Sequence, residues 1–272
     1  VGNLNGVAIA LAVSPGFCPI AYFNFLCECQ LILSTKYTLQ LCLGALLGIA
    51  LHEGTSSPVG KTDFLHLYPL SFKEFLIANG EKMLVDYIDK GNRNLGAFTE
   101  RLTDYLKKYM IIGGMPAVVM EWLDSKDYNK VNRIQQELIS AYQKDFSKHA
   151  PKPMVEKIRY IWNSIPSQLA KENKKFVYGL VREGARAREY EIALQWLQDA
   201  GLIYKVYNVK APRIPLKSYE DRAAFKIFLL DVGLLGAMAR LKTTTVISGN
   251  DIFTEFKGAL TEQYVMQQLL LS

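Results

Sequence analysis

Beyond Cys42 the chain has no cysteine. All four, Cys18, Cys27, Cys29 and Cys42, fall in the opening stretch, and the remaining 230 residues carry none. That distribution excludes a disulfide-stapled secreted domain. The spacing Cys18-x8-Cys27-x-Cys29-x12-Cys42 matches no standard zinc pattern, and small buried hydrophobes are the plainer reading. Histidine is equally scarce: His52, His66 and His149 are all there is. His52-Glu53 begins a zinc-protease pattern, but position 56 is Ser56, and no histidine pairs with a nucleophile. Charge is absent from Val1 to Cys27, and only Glu28 and Lys36 precede Glu53. About 20 apolar residues would span a bilayer, yet Asn5, Pro15, Gly16, Pro19 and Asn24 interrupt this run. With no basic segment ahead of it, a signal peptide is not expected. Buried strand and helix of an α/β core read this way, because segments covered on both faces are continuously apolar. A segment foreign to the rest of the fold, or a membrane anchor, are the other readings.

Half of the 272 residues are hydrophobic and 21% are charged. That composition builds a sizeable core and excludes a disordered chain. The net charge of +6 permits an acidic partner without requiring one. The chain opens on Val1 and stops at Leu269-Leu270-Leu271-Ser272 inside an apolar helical pattern, so a fragment, or the product of a damaged or misread gene, is expected.

Gly54 to Thr62 comes close to a phosphate-binding loop. The fingerprint needs four residues between its glycines, and Gly54 and Gly60 enclose five. Lys61-Thr62 then leads into Asp63 to Tyr68, which reads as a strand, whereas a phosphate loop opens a helix. A turn before a strand is the better reading.

From Pro69 on, the pattern is mostly helical. Ser71 is a natural N-cap, Glu74 completes a capping box, and Leu70 and Phe75 stand at the staple positions. Residues 71–90 form one amphipathic segment with a break at Asn79-Gly80. Leu95 to Met110 forms another, ended by Gly113-Gly114. Met115 to Leu123 is a short helix with Pro116 in its first turn, where proline is tolerated. Tyr128 to His149 is a long helix closed by Pro151, and residues 154–182 read as two helices divided near Pro166. Arg186 to Ala200 is helical, with Tyr190, Ala193, Leu194, Leu197 and Ala200 on one face and Gly201 as its C′ residue. Leu202 to Val209 is a strand, a loop with Pro212 and Pro215 follows, and Phe225 to Leu230 is a second strand. Helix, strand, loop, strand is the plan of a winged helix. Asp231 caps a helix over Val232 to Leu241, residues 243–248 are a linker, and Phe253 to Leu271 begins a last helix. Trp122, Trp162 and Trp196 fall at core positions.

Lys171, Lys174, Lys175, Arg182, Arg186 and Arg188 cluster before and at the start of that winged-helix segment, and the loop adds Lys210, Arg213 and Lys217. Such a cluster suits phosphate contacts. Glu183, Glu189, Glu191, Glu220 and Asp221 are interleaved, so a salt-bridged, solvated face is the competing reading.

Five runs carry a family resemblance. Pro69-Leu-Ser-Phe-Lys-Glu-Phe75 resembles the "PLSFxEF" signature of prokaryotic AAA-superfamily ATP-binding proteins. Gly113 to Val119 is similar to that family's Gly-Gly-aromatic-Pro turn, Gly184 to Val206 to its winged-helix segment, and Phe225 to Leu235 to the strand and capped helix that follow. Gly258 to Val265 resembles the entry to its C-terminal, nuclease-like domain of unknown function. The runs keep the family order over roughly residues 44–272. The resemblance implies a mainly α fold with an α/β remnant: a partial P-loop NTPase core over 1–68, a helical lid over 69–150, a winged helix over 151–241, and the start of a truncated nuclease-like domain over 242–272. It implies ATP and magnesium as cofactors of the intact family, which hydrolyses ATP, and a cytoplasmic setting. The chain departs from the family pattern in lacking both the Walker A loop and the Walker B acid. Gly44-Ala45 stands where the family commonly has Gly-Ser, and Gly60-Lys61 matches a Gly-basic pair before the lid. Gly44, Gly60 and Lys61 are thus the remnant nucleotide positions, Glu262 is the leading acid of the nuclease-like end, and Lys175, Arg182, Arg186 and Arg188 are the candidate nucleic-acid contacts. No catalytic or metal-binding residue is expected, and this chain is expected to bind no nucleotide. DNA, a protein partner or a second copy of the chain are the expected partners. A non-enzymatic DNA- or protein-binding module is the alternative function.

Overall fold

The computed structural model describes residues 27–31, 39–43, 67–91, 96, 98–170, 175–241 and 254–271. The chain divides into two compact units, Val1–Ile49 and Ala50–Ser272. In the first, β1 (Cys27–Leu31) and β2 (Leu39–Leu43) pair antiparallel, with Cys27 opposite Leu43 and Leu31 opposite Leu39.

The second unit is mainly helical, as the periodicity requires. Its elements are α1 (Phe72–Ala78), α2 (Lys82–Asp89), α3 (Thr99–Ile112), α4 (Pro116–Ser125), α5 (Tyr128–His149), α6 (Lys152–Ala170), α7 (Ala187–Asp199), β3 (Ile203–Val209), β4 (Glu220–Leu229), α8 (Val232–Met238) and α9 (Thr254–Leu270). The capping box forms: Ser71 Oγ accepts from the Glu74 N–H at 3.2 Å, while the Ser71 N–H donates to Glu74 Oε2 at 2.7 Å. The break at Asn79-Gly80 separates α1 from α2, with Gly80 at φ +82. Pro116 occupies the first turn of α4, where a missing N–H costs nothing.

One expectation needs correcting. Residues 154–182 are not two helices divided near Pro166; α6 runs unbroken from Lys152 to Ala170 with Pro166 inside it. A single 3-10 turn, Tyr178–Leu180, follows. An interior proline costs about 3 kcal/mol. Here Ile158, Ile161, Trp162 and Ile165 are all fully buried around it, and at about 1.5–3 kcal/mol per buried side chain their packing outweighs that cost.

α3 packs on α8, α4 on α5, α6 on α7, and α9 on α6, α8 and β4. Trp162 lies at the centre of the core. Phe146 meets it edge-on at 5.4 Å and in turn meets Trp196 at 5.8 Å. Trp122, Trp162 and Trp196 are all buried.

A network of polar contacts joins four distant segments. The Leu70 N–H donates to the Gly114 carbonyl at 2.7 Å, and the Tyr109 hydroxyl donates to the Leu70 carbonyl. The Gly114 N–H donates to Asp231 Oδ1 at 2.6 Å, and the Leu234 N–H to Asp231 Oδ2 at 3.1 Å. From α9, Gln267 Nε2 reaches Asp231 Oδ1 and the Tyr109 hydroxyl, each at 3.1 Å, and Gln268 Oε1 accepts from the Phe72 N–H at 2.8 Å. Asp231 is fully buried. Burial pushes its carboxyl up, and the donors from Gly114, Leu234, Gln267 and Gly233 pull it back down. Close approach explains the glycines. A Cβ on Gly114 would strike the Leu70 carbonyl, and one on Gly233 the Ile112 carbonyl.

Among the described residues no helix is long and apolar enough to cross a membrane.

Candidate nucleic-acid interface

The interface grows from the segment joining α6 to α7 and from the hairpin β3–β4. Arg186 is the extended N-cap of α7 and Arg188 lies in its first turn. Tyr190, Ala193, Leu194 and Leu197 of α7 are buried, which turns its opposite face outward, as their spacing requires. Gly201, at φ +68, reverses the chain immediately into β3.

α7 and β3 pack against each other across this reversal. Thirteen residues of helix rise about 20 Å and seven residues of strand about 23 Å, so the two legs match in length. Tyr178 lies near both. Burial raises its phenol, and the nearby Glu191 of α7 and Tyr207 of β3 raise it further. The residue after Lys175, Phe176, donates its N–H to the Phe225 carbonyl at 2.6 Å and stacks on the Phe225 ring at 5.4 Å, which ties Lys175 to β4.

The hairpin is antiparallel, with Ile203 opposite Leu229 and Tyr207 opposite Phe225. Its register shifts between Tyr207 and Asn208, so that Asp221 faces Asn208 and residues 222–224 of β4 have no opposite number. Such a bulge twists a ribbon and re-aims its side chains; Arg222 is exposed there. The connecting loop holds Arg213, Ile214, Leu216 and Lys217, all exposed, with Ile214 at 95% of its full accessibility and Leu216 at 55%.

The sequence-derived cations take clear positions. Lys175, Arg182, Arg186 and Arg188 are all exposed. Arg182 lies over the Tyr160 ring at 5.7 Å. Among the described residues none of the four is in an ion pair, and neither is Glu183, Glu189 or Glu191. The salt-bridged face that the interleaving suggested is therefore not formed at these residues. Lys210 does pair, with Asp221 at 3.8 Å. Lys205 sits over the Phe225 ring at 4.1 Å. Lys171 and Lys174 lie outside the described residues, as do Gly44, Gly60, Lys61 and the linker over 243–248.

Glu262 is solvent-exposed on α9 and pairs with Lys226 of β4, Nζ to Oε2 at 2.8 Å. Among the described residues no group of three His, Cys, Asp or Glu could hold a metal. Sequence reasoning missed the buried glutamines of α9 and the exposed apolar pair of the hairpin loop. The first had a signal: Gln263 and Gln267 stand four apart, in line with the buried Ala259 and Leu260. The second is legible as two large apolar residues bracketed by Arg213 and Lys217 in a loop with two prolines.

A family model described as a domain of unknown function (DUF8612) matches residues 103–245, from the first turns of α3 to just past α8. No curated protein and no solved structure matches the chain.

Proposed function

The chain belongs to the family of the domain of unknown function DUF8612, and we propose that its residues 151–241 act as a winged-helix region that grips nucleic-acid phosphates. Residues 69–150 serve as the helical lid of an AAA-superfamily ATP-binding architecture that carries the winged helix. The observation that supports nucleic-acid contact is the set of four exposed cations, Lys175, Arg182, Arg186 and Arg188, without an ion pair among the described residues.

Two physical features strengthen it. From Lys175 to Arg240 there are eleven Lys or Arg against seven Asp or Glu, a basic excess of the kind a phosphate-binding surface carries. Arg186 and Arg188 also sit at the positive end of a helix dipole, where a cation is disfavoured by about 0.3–1 kcal/mol. A phosphate at that end relieves the strain and accepts from both guanidinium groups. The AAA reading is supported by how the family-like runs meet. Leu70, Gly114 and Asp231 come from three of them, and Gln267 lies two residues beyond a fourth.

The test is fluorescence anisotropy of a labelled duplex with the full chain over a salt series. Counterion release gives a slope of about −0.9 per phosphate contact. Binding that weakens steeply with salt, with a shallower slope in an R182Q/R186Q/R188Q variant, supports the reading. Salt-independent binding, or none at low salt, removes it.

A further inference from the structure

The hairpin loop is more than a cationic surface. It presents Ile214 at 95% and Leu216 at 55% of full accessibility, bracketed by the exposed Arg213 and Lys217. No ion pair among the described residues engages Arg213 or Lys217. The tip is not slack chain. Pro212 and Pro215 fix two of its φ angles, the Ser218 N–H donates to the Pro215 carbonyl at 3.0 Å, and the Lys210 N–H to the Tyr219 carbonyl at 3.0 Å. An aliphatic pair is thus held out in water by a stiff scaffold, with a positive charge on either side.

We infer that this tip is a wedge for duplex DNA: Ile214 and Leu216 enter the minor groove and press between base pairs, while Arg213 and Lys217 hold the flanking phosphates. The inference rests on the nucleic-acid reading above and names the class of nucleic acid and the groove. A groove about 6 Å wide admits a loop tip but not a helix. Aliphatic wedges between cations are what partial unstacking requires, and such wedges kink a duplex by about 20–90°. Single-stranded nucleic acid is recognised on aromatic platforms, and the exposed apolar side chains of this tip, Ile214 and Leu216, are aliphatic. A lipid surface calls for a larger apolar face, commonly with Trp or Phe; two side chains are too few. Protein interfaces are depleted of lysine at their centres. Arg186 and Arg188 open the helix that reverses into β3, and the tip follows the end of that strand.

The experiment uses the full chain and 25-base-pair duplexes, A·T-rich and G·C-rich, end-labelled for energy transfer, beside a single strand and anionic phospholipid vesicles. The wild type should shorten the end-to-end distance of the A·T-rich duplex and bind it more tightly than the G·C-rich one. I214S/L216S, which alters only exposed side chains, should bind about 5- to 10-fold more weakly, lose the bend and keep the salt slope. R213Q/K217Q should lower the slope by about two. If I214S/L216S binds and bends DNA like the wild type, the wedge is wrong and backbone gripping alone stands. Tighter binding to the single strand, or vesicle binding that I214S/L216S abolishes, overturns the duplex assignment. If the wild type binds no duplex even at low salt, the reading beneath it falls as well.

Discussion

The side-chain amide of Gln263 pairs with the backbone of Leu229 at both ends: Oε1 accepts from the Leu229 N–H at 2.9 Å, and Nε2 donates to the Leu229 carbonyl at 2.6 Å. α9 thereby covers an edge of β4 at Leu229 with a side chain that imitates another strand. Gln168 does the same for Val177, with bonds of 2.8 and 2.9 Å. Exposed edges invite aggregation, so this glutamine protects the hairpin as well as anchoring α9.

Gln263→Ala should destabilise the fold by about 2–4 kcal/mol, since two buried backbone groups lose their partners at about 1–3 kcal/mol each. Gln263→Glu should be at least as harmful, because a carboxylate oxygen would face the Leu229 carbonyl. Urea denaturation of the full chain measures both. A loss under about 1 kcal/mol would show that water satisfies Leu229 instead.

Gly233→Ala should cost more than about 3 kcal/mol or prevent folding, because its Cβ would collide with backbone at Ile112 and Gly113 that cannot yield. Gly179→Ala is the control: nothing lies within 4 Å of its Cβ position, and the alanine loses less chain entropy on folding. Thermal melts of the two variants should differ widely, the first falling and the second unchanged or slightly raised.

Glu81 predicts a pH effect. Its Oε1 accepts from the Tyr105 hydroxyl at 2.6 Å and from Arg101 at 2.7 Å. The Tyr105 bond first, and then the Arg101 bond and charge, hold its carboxyl below the ordinary 4.5. A carboxyl lowered by folding adds stability above its unfolded value and loses it as pH falls through the folded one. Glu81→Gln should therefore flatten the loss of stability below about pH 4.5. Burial and Glu81 push the Tyr105 phenol up to about 12. The stability from that proton is present below 10 and disappears as pH rises through 12, so Tyr105→Phe should flatten the alkaline limb. Denaturation midpoints across pH test both signs.

Arg188→Gln should separate stability from binding. Removing a cation from the first turn of α7 relieves the dipole and should raise stability by a few tenths of a kcal/mol, while duplex affinity at low salt falls. An equal fall in both would make Arg188 a structural residue.

The chain should not hydrolyse ATP. Phosphoryl transfer needs a cradle of backbone amides, a lysine and a magnesium-holding acid, and the sequence before Pro69 supplies no such set at workable spacing. Calorimetric titration with ATP and magnesium, beside a phosphate-release assay, is the measurement. Micromolar binding abolished by Lys61→Ala would restore Gly54 to Thr62 as a phosphate loop.

The sequence by itself determined whatever depends on neighbours a few residues apart. The capping box at Ser71 and Glu74, the helix from Tyr128 to His149, the buried face of α7 and the cap at Asp231 all rest on i, i+3 and i+4 relations. The backbone geometry of one helix fixes these wherever that helix sits. Tertiary structure decided the rest. Pro166 reads as a break, and only the packing of Trp162 and Ile165 keeps α6 whole through it. Asp231 reads as a cap. That it also holds Gly114, 117 positions away, depends on how the chain closes, and no local period records that. Glu262 reads as the first acid of a further domain, but the docking of α9 on β4 sets it against Lys226. The cations of 175–188 were legible as charge. Whether acids neutralise them is a matter of side-chain distances, which only the folded chain fixes. The exposure of Ile214 was undecided for the same reason: an apolar residue in a loop is buried or bared by what packs over it, and nothing described packs over this one.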